Sequence, residues 1–182
     1  MCIRDSIILN IFSENKSIHN FMKYIFIIFR SSIVLLFIAH TLGLIARWYI
    51  SGHAPWGDAY ESMIYVAWAT MGIGLLFIKK SDLTLASTSF VTSMILMIAH
   101  WNWMDPSIAN LVPVLNSYWL MIHVSVIVGS YGPFALSMIL GFVSLLLIVF
   151  ITSTNKEKIK NQLSELTMIN ELSVTVGLIM LT

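Results

Sequence analysis

Apolar residues in this chain run in long blocks, and the charged residues fall almost wholly between them. Tyr24 to Ala46 is apolar apart from Arg30 near its start, and it contains His40. Ser62 to Ile78 is free of charge and is closed by Lys79 and Lys80; Leu83 to Trp103 is closed by Asp105 and Pro106. No Lys, Arg, Asp or Glu occurs from Pro106 to Asn155. Leu172 to Thr182 opens a last, short apolar stretch. Each full block can cross the roughly 30 Å of bilayer hydrocarbon at about 1.5 Å per residue. Backbone polar groups in lipid must be satisfied within the segment, which predicts helices. A β-barrel would need alternating strands of about ten residues, and these blocks do not alternate. The predicted fold is all-α, a polytopic transmembrane helix bundle of four full spans plus a truncated fifth.

Composition agrees with that pattern. Of the 182 residues, 58% are hydrophobic and 10% charged, against about 25% charged in a soluble domain. An ordinary cytosolic enzyme, a disordered chain and a nucleic-acid binder with a basic face are excluded. The single cysteine, Cys2, allows neither an internal disulfide nor a CxxC site.

The net charge of +1 carries little information, but its distribution predicts a topology. Arg4, Lys16, Lys23 and Arg30 precede or open the first span, Lys79 and Lys80 follow the second, and Lys156, Lys158 and Lys160 follow the long uncharged region. Placing these on the cytoplasmic side leaves only Arg47 outside. The stretch from Asp105 to Lys156 must then cross an odd number of times. Pro106 to about Ser117, with Pro113, becomes an external segment. A crossing helix follows from about Tyr118 to Ile151, interrupted and kinked at Gly132-Pro133.

The predicted external face comprises Arg47 to Glu61 and His100 to about Ser117, with the adjoining helix ends. Trp48, Tyr49, Trp56, Tyr60, Trp101, Trp103, Tyr118 and Trp119 crowd it, and Trp68 alone of the six tryptophans lies within a span. An interfacial aromatic belt accounts for such residues, yet belts decorate both interfaces and the inner side has no Trp. A one-sided surface of Trp, Tyr and His also suits a flat, metal-containing aromatic ligand, because imidazole is a common axial ligand of haem iron.

The histidines divide accordingly. His40, near Thr41, reads as a hydrogen-bonding partner of a neighbouring helix before it reads as a ligand. His53 sits in a polar turn, His100 at an interfacial helix end and His19 in the inner tail. His123 shares a helix face with Trp119 four residues earlier. A near-interface histidine is a functional candidate by default, which makes His123 the first choice.

Arg47 reads either as a snorkelling interfacial charge or as the counter-ion of a ligand carboxylate, such as a haem propionate. Asp58 and Glu61 suit the positive N-terminal dipole of the second helix. The methionines read as membrane packing. No phosphate-cradling loop, nucleophile elbow, zinc motif or paired-carboxylate motif is present.

Two segments carry a family resemblance. Residues 47–61, RWYISGHAPWGDAYE, resemble the RWYxSGHAPWxxxYE segment of CcsA-type cytochrome c assembly proteins. Residues 111–124, LVPVLNSYWLMIHV, resemble their LVPxLxSxWLxxHV segment. Order and separation agree, and the likeness runs from about Tyr24 to Thr182, nearest to the fused CcsB–CcsA type. The resemblance implies a part in the System II cytochrome c synthase, a haem lyase. Such a protein carries haem b across the bacterial inner membrane. It presents the haem on a tryptophan-rich WWD segment between two external histidines and joins its vinyl groups to the CxxCH cysteines of apocytochrome c. It implies that His123 is the first external axial ligand to haem iron, with Trp119 and Tyr118 packing near the haem. It also implies a CcsB-like subunit or fused region as partner, besides the lipid bilayer. No nucleic-acid partner is expected.

No WGxxWxWD-like stretch and no later external histidine occur here. The expected organisation is a cytoplasmic tail over residues 1–23, whose opening MCIRDS reads as a short tail or as translated adapter. Residues 24–182 form the N-terminal part of a CcsA-like domain that ends before the WWD segment. That fragment is expected to be inactive in synthesis alone. Two other functions fit the residues less well: a membrane carrier holding haem b between helices, and a small transporter.

Overall fold

The computed structural model describes residues 16–77, 82–101, 105–108, 117–149 and 156–182. Among the described residues five helices follow in order: α1 (Lys16–Ser51), α2 (Ala59–Leu76), α3 (Asp82–His100), α4 (Tyr118–Val149) and α5 (Lys156–Leu181). Cys2, Arg4, Lys79, Lys80, Trp103, Pro113 and the first six residues of the 111–124 motif lie outside the described residues. Four helices, α1, α3, α4 and α5, are long and apolar enough to cross a membrane. This is a multi-pass helical membrane protein.

The 18-residue α2 is the shortest helix, and it sits at the centre, packed on α1, α3 and α4. Its apolar residues surround the axis, as expected of a helix buried on all sides. Small residues let its neighbours come close. A Cβ on Gly132 of α4 would lie 2.8 Å from the Thr70 backbone nitrogen, and one on Gly74 would strike the Thr88 side chain of α3. Close backbone approach through small residues is how helices associate in lipid, where apolar burial offers little advantage over the acyl chains. Thr70 and Thr88 are buried and turn their hydroxyls back onto their own helices, donating to Val66 and Thr84 carbonyls at 2.7 and 2.6 Å.

The expected interruption at Gly132-Pro133 is not a break. α4 continues through the buried Pro133 to Val149. Proline removes one helix hydrogen bond, but Gly132 seats that turn directly on α2, and the packing holds the helix on either side.

The last helix also differs from the charge pattern. Its apolar stretch opens at Leu172 in sequence, but the helix begins at Lys156 and is span-length over Ile159–Leu181. Glu165 and Glu171 point outward, while Leu166, Ile169, Ser173 and Gly177 form a stripe buried toward α4. Leu166 and Ile169 meet Leu136 and Leu140 in the main apolar cluster. Ser137 donates to Asn170 Oδ1 at 2.6 Å across the same contact. At the opposite edge Arg30 of α1 pairs with Asp82, the first residue of α3, at 2.8 Å. The middle of α1 is thereby tied to the start of α3.

Candidate functional site

At the other end of the bundle the chain gathers the end of α1, the 52–58 loop, the start of α2 and the 105–108 segment. Gly52, at φ 69°, ends α1; this left-handed conformation suits glycine at a helix C-terminus. Asp58 caps α2, its carboxylate accepting the Ala59 N–H at 2.7 Å. That is the N-terminal role expected of it.

Glu61 does something different. Its side chain is 2% exposed, and Oε1 accepts from Arg47 Nε at 2.9 Å. Oε2 accepts from the Gly57 N–H at 3.1 Å. Arg47, 14% exposed, donates from Nη1 to the Pro106 carbonyl (3.1 Å) and from Nη2 to the Ser107 carbonyl (3.4 Å). The guanidinium also lies 5.1 Å from the Tyr60 ring centroid, within cation–π range. Arg47 thus places three of its five N–H donors and one face on protein groups.

His53 lies beside this pair. Its Nδ1 is 3.2 Å from the Ala54 carbonyl and 3.8 Å from Glu61 Oε2, and its Nε2 is buried without a partner among the described residues. A carbonyl acceptor at Nδ1 selects the tautomer protonated there. Neither the Arg47–Glu61 pair nor the place of His53 against it is visible in the linear sequence; the spacing of 14 residues spans a helix end and a loop.

The aromatic residues do not all form a belt. Trp48, Trp56, Tyr65, Trp68 and Phe37 make a continuous ladder, with successive ring centroids 5.9, 5.2, 5.8 and 5.9 Å apart. It descends from the Arg47 end into the bundle between α1 and α2. Trp68 closes it by donating from Nε1 to Thr41 Oγ1 at 2.9 Å. His40 is half-buried on α1, one residue before Thr41.

Tyr118, Trp119 and His123 occupy the exposed first turns of α4, Trp119 being 82% exposed. His123 makes no hydrogen bond to a described residue. Tyr118 and Trp119 take no part in the aromatic ladder, so this group and the Arg47 cluster are separate in contacts. They are level along the bundle, however. α2 and α4 run the same way, with Gly132 against Thr70. Nine residues back from each are His123 and Glu61, both about 13 Å toward the same end. An open imidazole with an aromatic side chain one turn away has the chemistry to meet a planar, iron-bearing ligand. Among the described residues no group of three or more His, Cys, Asp or Glu gathers as for a metal ion.

A family described as cytochrome C assembly protein matches residues 56–182. The protein NrfI of Wolinella succinogenes is 45% identical over 148 residues, 81% of this chain and 16% of that protein. The cytochrome c biogenesis protein CcsA of Lotus japonicus is 31% identical over 134 residues, 66% of this chain and 38% of that protein. The CcsA protein of Prochlorococcus marinus is 34% identical over 125 residues, 64% of this chain and 40% of that protein. The chain therefore spans between 16% and 40% of the length of these relatives. Glu61, Tyr118, Trp119 and His123 fall inside the family match; Arg47 and His53 precede it.

Proposed function

This chain belongs to the cytochrome c assembly family, and on that premise we propose that it supplies one side of the haem site of a cytochrome c synthase. His123 is the axial ligand it contributes to the iron of haem b, the substrate, with Trp119 and Tyr118 packing beside the porphyrin. The Arg47 end faces the periplasmic side of a bacterial inner membrane, and the Arg30–Asp82 end faces the cytoplasm. Apocytochrome c with its CxxCH motif is the acceptor, and a CcsB-like subunit or region is the partner. Residues 24–182 act as one CcsA-like unit behind a cytoplasmic tail.

The observation that carries the reading is His123 itself. Its imidazole is exposed and uncommitted on the first turns of α4, one turn from Trp119, within the family match. The test places this segment in NrfI in place of the 148 residues it matches. His123→Ala is expected to abolish the histidine-ligated haem spectrum and the maturation of a CxxCH cytochrome. Undiminished haem occupancy and maturation would overturn the ligand assignment.

A further inference from the structure

α5 buries one side and leaves the opposite side uncovered. Leu166, Ile169, Ser173 and Gly177 are buried, whereas Ser164, Met168, Glu171 and Thr175 are exposed. At about 3.6 residues per turn the exposed four share the side away from that buried stripe. Their depth follows from α4, Tyr118–Val149, whose midpoint falls beside Pro133. Ser137, four residues on, donates to Asn170, so Glu171 lies within about 6 Å of that midpoint. Half the hydrocarbon thickness is about 15 Å, which places Glu171 inside the apolar layer. Glu165, about 9 Å nearer the start of α5, lies close to the edge of that layer. The Glu171 carboxylate has no hydrogen bond or ion pair to a described residue. Arg30 and Arg47 are engaged with Asp82 and Glu61, and Lys160 is about 16 Å away along α5.

We propose that this face of α5 docks a transmembrane helix of a partner that carries one Lys or Arg at the depth of Glu171. An ionisable side chain within a span is costly, and such groups pair with an opposite charge or line water. Charge complementarity therefore selects a cationic partner. A second copy of this chain would set Glu171 against Glu171, two like charges, and lipid would leave the carboxylate uncompensated. Ser164 and Thr175 are small enough to let a helix come close on either side of Glu171, as helix contacts in membranes require. The relatives of this chain extend well beyond the part that matches it, so they hold further polypeptide beside this unit. The inference is independent of the haem reading.

The test uses the full chain in phosphatidylcholine vesicles, labelled with a donor dye on its single cysteine, Cys2. The probe is an acceptor-labelled polyleucine helix of about 20 residues, with tryptophan at both ends and one lysine at its centre. Energy transfer to the lysine helix is expected well above that to the same helix with leucine at the centre. Glu171→Gln should weaken association about tenfold, within the range that interhelical polar contacts reach in membranes, and Glu165→Gln should leave it unchanged. Glu171→Lys should lose the lysine helix and bind one with a central glutamate, which keeps the test valid whatever the substitution does to stability. Equal transfer to the lysine and leucine helices would overturn the proposal and leave the face to lipid. An equal loss in Glu165→Gln would overturn it by reducing the effect to interfacial charge. Glu171-dependent transfer between labelled copies of the chain without any peptide would overturn it in favour of a second copy.

Discussion

Trp68 Nε1 donates to Thr41 Oγ1 at 2.9 Å, and Thr41 donates in turn to the Phe37 carbonyl at 2.8 Å. This is the polar link between α1 and α2 midway along their contact, and the Phe37 ring stacks on Trp68 at an interplanar angle of 13°. α1 is otherwise the least buried of the span-length helices. Thr41→Val removes the acceptor while keeping shape. The expected cost is about 0.6–1.7 kcal/mol, the range for interhelical hydrogen bonds in membranes. Tryptophan fluorescence should shift as Trp68 loses its partner. Denaturation in a mixed-detergent titration measures the first effect; an unchanged midpoint would show that the hydroxyl does not hold α1.

Gly132→Ala should be costly and Gly141→Ala harmless. A Cβ at 132 would meet the Thr70 nitrogen at 2.8 Å and Ala69 at 3.0 Å, both backbone or Cβ positions that cannot swing away; at Gly141 nothing lies within 4 Å. Overpacking of this kind costs about 1–3 kcal/mol. The same detergent titration on the two variants should separate them, with Gly141→Ala at or slightly above wild type because alanine favours helix.

Asp105 introduces a pH dependence at the turn that Arg47 grips. Its carboxylate accepts the Ser107 N–H at 2.9 Å, and that bond holds its pKa below the ordinary value. A carboxyl depressed in the folded state contributes stability above its unfolded pKa and loses it as pH falls through the folded pKa. The Ser107 amide is therefore expected to stay protected as pH is lowered to about 4 and to lose protection below that. In Asp105→Ala the same amide should be unprotected throughout. Hydrogen exchange, corrected for its intrinsic pH dependence, reads both. A wild-type profile in Asp105→Ala would refute the assignment.

Trp119→Ala should separate fold from function. The indole is 82% exposed, so truncation removes little packing, and the expected stability change is within about 0.5 kcal/mol. In the NrfI chimera, haem retained after purification should fall severalfold while His123 ligation persists in what remains. Full haem retention would remove Trp119 from the site.

How much of this could be read along the chain depends on the range of the interaction. Hydropathy located α1, α3 and α4 because lipid imposes its condition on each segment separately; the block Ser62–Ile78, expected as a full span, became the short α2, which is not among the four span-length helices. The place of Asp58 at the start of a helix was legible for the same local reason, though in sequence it read as a dipole partner and the structure adds the cap. α5 was misjudged at its start because charges at Glu165 and Glu171 count against a span in sequence, whereas in the bundle they point away from α4. Glu61 carried a helix-dipole signal and Arg47 an interfacial one. Nothing local distinguishes those roles from a buried ion pair between the two residues. Of the aromatic residues, Trp48 and Trp56 belong to a packed ladder, while Tyr49, Trp101, Tyr118 and Trp119 stand exposed as a belt would have them.

The sequence by itself determined the helical membrane class, the segments able to span, and the family, because these follow from run length, charge placement and short motifs. Tertiary structure alone decided that α2 is the central helix and that Gly132 lets α4 touch it. It also decided that Arg47 is committed to Glu61 and two carbonyls, and that His123 stands open at the same level. Those facts depend on which helix faces lie against one another, and packing across more than one element is not encoded in any local run of residues.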